Sequence, residues 1–594
     1  MRRAGARYAA PMLWSLERPD PARVQALARA VDVPEVVARL LVARGLAEAE
    51  VARVHLERSA RTLHEPRLLP GMAAATARLA RAIRDKETIL IHGDYDVDGV
   101  TGTALLMELL RLVGANAVWH IPNRLIDGYS FGPHSVARAL DVGARVVVSV
   151  DNGTSAFETI AQLAEHGIHT IVTDHHEPPP PHPQFGALPP AFAIVNPKLA
   201  GSTYPWRELC GGAVAFKLAW GLVQELCGGE RARPELKEFL DEALAHVAIA
   251  TVCDVVPLMD ENRVLAWYGL KRLERTRLPG LRALLEVAGI AGRPLHPEDV
   301  GFQIGPRINA SGRLGSAQRA VELLLARDPE VARRLARELD GLNQERKALE
   351  AAVVAEARSA ARAFPDKDEH PVLVLAGAWH QGVVGIAAAR LVDEFGRPAI
   401  VIGLDGDEGR GSARSVHGFD VLAAMGGGAE HLARFGGHAQ AAGCEVRACD
   451  IPMLRAAINA KARAMLAAEP PAERRLSLDA ELDYADVNES LMRHLARLEP
   501  FGSHNRKPVF FSRDLRIAQP PRAVGQEGRH LMVQLRRGPH VLKAMGFHQG
   551  ARLAELTPAT AIHAAYTPKW NTFRGATQLE LELVDFRVGA EPVL

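Results

Sequence analysis

The feature that most constrains this chain is a repeat of short apolar runs between Thr88 and about Pro197, each followed by a polar loop and a helical stretch. Thr88–Ile91, Val146–Val150 and Thr170–Thr173 are β-branched and lack polar alternation. A strand that is apolar on both sides must be covered on both sides, which is how parallel sheets pack. Helical stretches such as Ala104–Val113 and Ser135–Leu140 lie between them. Repeated β-α units predict a doubly wound α/β domain whose ligands collect beyond the carboxyl ends of the strands.

Each of those runs leads into acids or histidines. After Ile89-Leu90-Ile91 come His92, Asp94, Asp96 and Asp98, then Asp151-Asn152-Gly153 after the second run, and Asp174-His175-His176 after the third. Val247–Val252 reads as a fourth strand, leading into Cys253-Asp254. Taken alone, a strand-terminal aspartate is an ordinary helix cap, and the first stretch also fits an acidic turn capping a helix from near Val100. Four such ends at one rim are harder to explain without a cation, because clustered carboxylates repel and lose hydration. His92, Asp96, Asp98, Asp151, His175 and Asp254 are six candidate ligands. That is more than one ion needs and fits a pair of cations ~3.5–4 Å apart, the arrangement used for in-line displacement at phosphorus. The His-x-x-x-Asp-x-Asp frame leaves Asp94 one step removed from the ions. Oxygen and imidazole donors without thiolate favour Mn2+ or Mg2+, with the imidazoles tilting toward Mn2+. His176, beside a ligand, suits a proton donor to the leaving group or an orienting role.

At 594 residues the chain is too long for one core. A net charge of +1 means that any nucleic-acid affinity must come from local patches. Five cysteines without a C-x-x-C pair imply reduced, cytoplasmic thiols rather than zinc or disulfides. No apolar run approaches the ~20 residues of a membrane helix. Pro11 and early charge argue against a signal peptide.

His92-x-x-x-Asp96-x-Asp98, Asp151-Asn152-Gly153 and Asp174-His175-His176 resemble the first three motifs of the DHH phosphoesterase superfamily. Four further stretches, LCGGAVAFKL (209–218), TVCDVVPL (251–258), GPRINASGRLG (305–315) and GVVGI (382–386), resemble its branch of single-strand-specific 5′-to-3′ DNA exonucleases. The resemblance implies a two-metal centre on the six residues above, with Asp151 bridging and Asp151, His175 and His176 catalytic. It implies hydrolysis of single-stranded DNA from a 5′ end, processively and to 5′-mononucleotides, in recombination and repair. A helicase and a single-strand-binding protein are the expected partners. A smaller-substrate phosphodiesterase, for short oligonucleotides or cyclic dinucleotides, is the alternative. A metal-free scaffold on the same fold is disfavoured because no ligand is missing.

Basic residues near this rim are candidate phosphate ligands: Arg124 in the loop after Ala117–Ile121, and Arg307, Asn309 and Arg313 in a Gly-punctuated loop. Glu330 to Ala363 keeps helical spacing over ~50 Å, long enough to connect two domains. From Val372 a further α/β unit follows, with two Gly-rich loops carrying Ser412 and Arg414, and His438. These resemble a DHHA1 substrate-binding domain, which implies a 5′-phosphate pocket of Arg124, Ser412 and Arg414. Beyond Leu476 short alternating runs read as all-β. Phe501 to Leu594 carries 13 Lys and Arg against 7 Asp and Glu, with Phe547, Tyr566, Trp570 and Phe573 interspersed. That composition suits an OB-type barrel binding single strands. The expected segments are therefore 1–85 helical, 86–316 catalytic, 317–365 connecting, 366–470 substrate-binding and 471–594 β-barrel. No heptad seam is evident, so a monomer is expected.

Overall fold

The computed structural model describes residues 13–123, 131–229, 231–468, 475–557, 561–573 and 576–589. Contacts divide the chain into two compact units. One is discontinuous, formed by Met1–Glu65, Val255–Tyr268 and Glu473–Leu594; the other comprises Pro66–Asp254 and Gly269–Ala472. Helical periodicity suggested a boundary near residue 85, whereas the packing places it near residue 65. Amphipathic spacing shows that a helix has an apolar face but not which core receives it.

The first unit opens with β1 (Leu13–Leu16), α1 (Pro21–Val31), α2 (Glu35–Ala43) and α3 (Ala49–Glu57). Asp20 caps α1, accepting from the Ala22 N–H, and Pro21 supplies a preset φ at the first helical position.

The second unit begins with α4 (Met72–Arg84), followed by β2 (Ile89–Gly93), α5 (Val97–Leu112), β3 (Ala117–His120), α6 (Pro133–Asp141), β4 (Val146–Val150), α7 (Phe157–Glu165), β5 (His169–Thr173) and β6 (Ala193–Val195). The five strands form a fully parallel sheet in the order β3-β2-β4-β5-β6. Leu90, Val147, Val172 and Ile194 face one layer, with Val136, Ala139, Ile160 and Leu163 of α6 and α7. Helices α4 and α5, with α8 (Gly211–Leu226), cover the other face. The chain leaves β2 toward β3 and returns to β4 on the opposite side, so the carboxyl ends of β2 and β4 flank the switch point where such sheets hold ligands. One backbone bond recurs along this rim: Asp94 N–H donates to Val150 O, Asp151 N–H to Thr173 O and Asp174 N–H to Val195 O. Each strand exit is thereby tied to the end of its neighbour.

Then come α9 (Pro234–Cys253), α10 (Asp260–Glu274, whose residues as far as Tyr268 belong to the first unit), α11 (Pro279–Val287), α12 (Pro297–Asp299), α13 (Gly305–Leu314), α14 (Gln318–Leu324) and α15 (Pro329–Ala361). Val247–Val252, expected as a strand, is the end of α9; residues 305–315, expected as a loop, lie mostly in α13. Helix α15 runs for 33 residues, ~50 Å at 1.5 Å per residue. Its Asp328 cap accepts from Glu330 and Val331 N–H groups. It packs first on α11 and α13, then on α16 (Val384–Phe395), joining the two α/β parts of the unit.

The second part adds β7 (Leu373–Gly377), β8 (Ala399–Asp405), β9 (Glu408–Arg414), α17 (Val421–Gly426), β10 (Arg434–His438), β11 (Ala441–Arg447) and α18 (Ile451–Ala468). Its sheet order is β10-β11-β9-β8-β7, with only β7 and β8 parallel. The two Gly-rich stretches expected as loops are strands β9 and β10. In β9, Gly409 and Gly411 leave room for Ile402 and for the Cys444 thiol, both of which a Cβ would strike.

The first unit resumes with β12 (Arg475–Leu478), β13 (Ala480–Glu481), α19 (Glu489–Ala496), β14 (Phe510–Val524), β15 (His530–Arg537), β16 (His540–Gly546), β17 (Ala561–Phe573) and β18 (Ala576–Val588). Strands β14 to β18 close into a barrel through β14–β17 pairing. Its interior residues Phe510, Leu531, Val533, Ile562 and Phe586 belong to the same core as Leu27, Val37, Leu40, Leu41 and Leu56 of α1–α3. Strand β1 pairs with β12, and Trp14 donates to Asp585 at 2.8 Å. Arg263, 1% exposed, donates to the carbonyls of His55, Arg497 and Glu499. Among the described residues no helix is long and apolar enough to cross a membrane.

Candidate metal centre

Asp96 is the N-cap of α5; its carboxylate accepts from the Asp98 and Gly99 N–H groups at 2.9 and 3.2 Å. Gly99 is required here, because a Cβ would come within 2.5 Å of the Asp94 backbone. This turn gathers Asp94, Asp96 and Asp98 at the rim. Asp98 in turn accepts from Gly211 and Gly212 N–H, both at 2.6 Å, at the start of α8. A carboxylate at a helix N-terminus is favoured by the aligned peptide dipoles. The approach depends on the glycines: a Cβ on Gly211 would lie 2.6 Å from Asp151.

Asp151 leaves β4 with φ of 63°, a left-handed conformation that costs energy in a non-glycine residue. Val255, just after Asp254, has φ of 61°, which is rarer still for a β-branched side chain. His175 Nε2 lies 3.2 Å from Asp151 Oδ1, 3.7 Å from Asp254 Oδ2 and 3.8 Å from Asp98 Oδ2. A second triad, Asp94, Asp96 and Asp151, brings its oxygens within 4.8 Å of one another. Asp151 belongs to both clusters.

Two expectations change. Asp254 caps the end of helix α9 instead of ending a strand. His92 turns away from the carboxylates: its Nε2 sits 2.9 Å from Ser135 Oγ, and its ring neighbours are His120, His134 and Phe131. Asp94, which the spacing leaves one step removed, stands instead in the triad with Asp96 and Asp151. Strand alternation explains this, since His92 shares its side of β2 with Leu90, which faces α6 and α7.

The charge in this cluster exceeds what its burial tolerates. Burial, then repulsion from Asp96, pushes Asp98 up to about 7 despite the Gly212 and Gly211 N–H groups. Burial, then Asp98 and Asp96, pushes Asp254 up to about 8. Asp151 is driven well above the carboxylate range by burial and by Asp98, Asp96, Asp94 and Asp254. Burial lowers His175 to about 4, which keeps it neutral and able to ligate. Asp254 Oδ2 is buried and makes no hydrogen bond. Carboxylates that cannot all ionise together, a neutral imidazole and an unsatisfied buried oxygen fit divalent cations.

A pH prediction follows from these raised values. The carboxyls stabilise the metal-free fold most fully below their unfolded pKa, and that contribution is lost as pH rises through about 7 to 8. A cation displaces the retained protons, so its affinity must rise over the same window. The thermal midpoint gained on adding Mn2+ to chelator-treated protein should therefore grow from pH 5 to pH 8. A gain that is flat or shrinking across that range would contradict the assignment.

Asp174 Oδ1 accepts from His175 N–H, His176 N–H and His176 Nδ1–H at 2.7, 3.1 and 2.7 Å, while Oδ2 accepts from Thr154 N–H. Burial alone would raise Asp174, but the His176 and Thr154 bonds outweigh it and hold it at about 2. The Asp174 bond raises His176 to about 9. Asn196, which the sequence did not single out, donates to His176 O at 2.9 Å and to Thr154 Oγ1 at 3.1 Å.

The candidate phosphate ligands separate. Arg307 is buried and committed to Asp340 and to the Gln303 carbonyl, tying α13 to α15. Asn309 is half-buried on α13, and Arg313 donates to Gly382 O at 3.2 Å. Ser412 and Arg414 touch through Nη1 and Oγ at 2.9 Å on β9. They lie beside Gly385 in the first turn of α16, where a Cβ would come 2.9 Å from Ser412 Oγ. His438 is exposed on β10. Arg124 lies outside the described residues.

A DHH-family N-terminal-domain model matches residues 88–251, a DHHA1-domain model 369–464 and a RecJ OB-domain model 478–585. Together with the carboxylate rim, these define a metal-dependent phosphoesterase of the DHH class. More particularly, the chain belongs to the RecJ family. The single-stranded-DNA-specific exonuclease RecJ of Bacillus subtilis is 35% identical over 584 residues, 98% of this chain and 71% of the relative. That of Dickeya dadantii is 37% identical over 569 residues, 92% of this chain and 95% of the relative. The crystal structure of RecJ from Thermus thermophilus in complex with Mn2+ aligns with a TM-score of 0.80 at 30% identity, covering 98% of this chain and 80% of that one. Its Mg2+ complex aligns at 0.75.

Proposed function

We propose that this protein is a 5′-to-3′ exonuclease of single-stranded DNA that works through two divalent cations, Mn2+ preferred and Mg2+ accepted. The observation that carries this reading is Asp151, shared by the Asp94–Asp96 cluster and by the cluster of Asp98, His175 and Asp254. Support comes from the relatives named single-stranded-DNA-specific exonucleases and from the Thermus complexes with Mn2+ and with Mg2+. In this assignment Asp94, Asp96 and Asp151 would hold one ion, and Asp98, Asp151, His175 and Asp254 would hold the other. When bound, such a pair lowers the pKa of a shared water and neutralises charge on the phosphoryl oxygens. His176, with Nδ1 fixed by Asp174, carries a proton at neutral pH and presents Nε2 to the leaving oxygen.

Polarity is assigned to the second α/β part. Ser412, Arg414 and the first turn of α16 make an anion pocket for a terminal 5′-phosphate, joined by Arg124, with Asn309, Arg313 and His438 along the strand. An anchored chain end places the next linkage at the metals and favours release of 5′-mononucleotides, processively. Segment 86–316 is then catalytic, 366–470 holds the end and 471–594 holds the strand. The reading extends to action in DNA repair and recombination in the cytoplasm, as a monomer served by a helicase and a single-strand-binding protein. Single strands labelled at either end provide the test. Labelled mononucleotide should leave first from the 5′ end, and release beginning at the 3′ end would overturn the proposal.

On the barrel, Tyr566 is core, its hydroxyl 2.7 Å from Ser512 Oγ, and the Phe573 side chain lies outside the described residues. Phe547 and Trp570 are exposed, with Lys569 4.8 Å from the Phe547 ring. Replacing both rings with alanine should weaken long-strand binding by about 1–3 kcal/mol per stacked base. Hydrolysis of a dinucleotide should be unchanged, and equal loss on both substrates would contradict this assignment. Deleting the barrel is a poorer experiment, because α1–α3 would lose their core.

A further inference from the structure

His92 lies near the end of β2, His120 ends β3 in direct register with it, and His134 sits in the first turn of α6. Their ring centroids are 5.2, 5.8 and 5.9 Å apart, and one nitrogen from each ring falls within 4.8 Å of the others. His92 is fully buried; Nε2 meets the Ser135 hydroxyl, and Nδ1 has no hydrogen-bond partner. Ser135, itself 1% exposed, also accepts from Gly132 N–H, so its position is fixed. A ring nitrogen held by a fixed neighbour is how proteins orient a ligating imidazole.

We propose that His92, His120 and His134 form an imidazole-only site for a borderline divalent cation, of which Zn2+ is the type, separate from the carboxylate centre. Three nitrogens within 4.8 Å need to close by about 1.5 Å at most, by small side-chain rotations, to form one face of a tetrahedron with Zn–N bonds of ~2.0–2.1 Å. The cluster contains no carboxylate, so it selects against Mg2+ and for Zn2+, Co2+ or Ni2+. The two sites would therefore sort ions by chemistry. An ion here would pin β2, β3 and α6 to one another immediately before the chain enters Asp94. This gives the histidines a structural task that the reaction does not require.

The test uses full-length protein in excess Mg2+, which occupies the carboxylates, titrated with Co2+ and then with Zn2+. One equivalent of Co2+ per chain should bind, with the visible absorption of a four-coordinate ion, and Zn2+ should displace it. The double variant His120→Ala with His134→Ala should bind Co2+ on the order of 100-fold more weakly or worse. Should that variant fail to fold by circular dichroism, His120→Gln alone is read in the same way. Absence of Co2+ binding under Mg2+, or undiminished binding by the variants, overturns the proposal. So does loss of the Co2+ signal in Asp254→Asn, which would assign the ion to the carboxylate centre. Strand-polarity measurements are untouched by any of these outcomes, so this site and the nuclease reading stand or fall separately.

Discussion

Asp151→Asn is expected to lower the nuclease turnover by on the order of 10³–10⁴-fold while the fold is retained, since a lost metal bridge removes several kcal/mol of transition-state stabilisation. Asparagine is the better probe than alanine. Asp151 sits at φ of 63°, which asparagine tolerates and alanine does not, so Asp151→Asn removes charge without adding backbone strain. Bound Mn2+ should fall from two per chain to one or none, because both clusters draw on this carboxylate. Metal content by atomic emission and single-turnover rates should change together. A variant that keeps two tightly bound ions and a near-native rate would remove Asp151 from the centre, and the proposed reaction with it.

The second large effect concerns stability. Arg263→Ala should lower the thermal midpoint of the unit that contains it by roughly 10 °C, from about 3–5 kcal/mol in a domain of about 200 residues. Its guanidinium donates to His55 O in the last turn of α3 and to Arg497 O and Glu499 O after α19. Removing it leaves three carbonyls facing a cavity, each paying its full desolvation cost. Arg263→Lys should recover only part of the loss, because an ammonium cannot fork toward three carbonyls in a plane. Calorimetry in saturating Mn2+ separates this transition from that of the metal-binding unit. A shift below about 2 °C for the alanine variant would mean that the arginine is dispensable.

Much of the catalytic half was legible because parallel strands expose their exits. Asp151 and His175 follow β4 and β5 where the β-branched runs stop, and the repeated exit-to-neighbour bond brings them to one rim. Asp254 reads in the sequence as a strand end, whereas it caps helix α9 and lies 3.7 Å from His175. The run before it, AHVAIATV, is apolar on all sides, and such a run in a buried helix cannot be told from a buried strand by periodicity. In α13 the glycines looked like loop formers, but they serve packing: a Cβ on Gly305 would meet Cys253 Sγ at 2.6 Å and one on Gly312 would meet Tyr95 O at 2.8 Å. That closeness sets α13 against the Asp94–Asp98 turn. His92 points to Ser135, His120 and His134, and spacing along a chain does not say toward which layer a strand residue points. Arg307 braces α13 against α15, and in sequence such an arginine looks the same as one that meets a phosphate.

The discontinuity of the first unit carries a consequence for biosynthesis. A ribosome delivers α1–α3 more than four hundred residues before the strands that cover their apolar faces. Throughout that interval the core of Leu27, Leu40 and Leu41 lacks its barrel side, whereas the intervening α/β unit already has its whole sequence and can fold as it emerges. Prematurely terminated chains would thus combine a finished catalytic half with a sticky leading end. Such fragments are natural clients for chaperones and proteases, because the core of the first unit closes only when the barrel strands arrive.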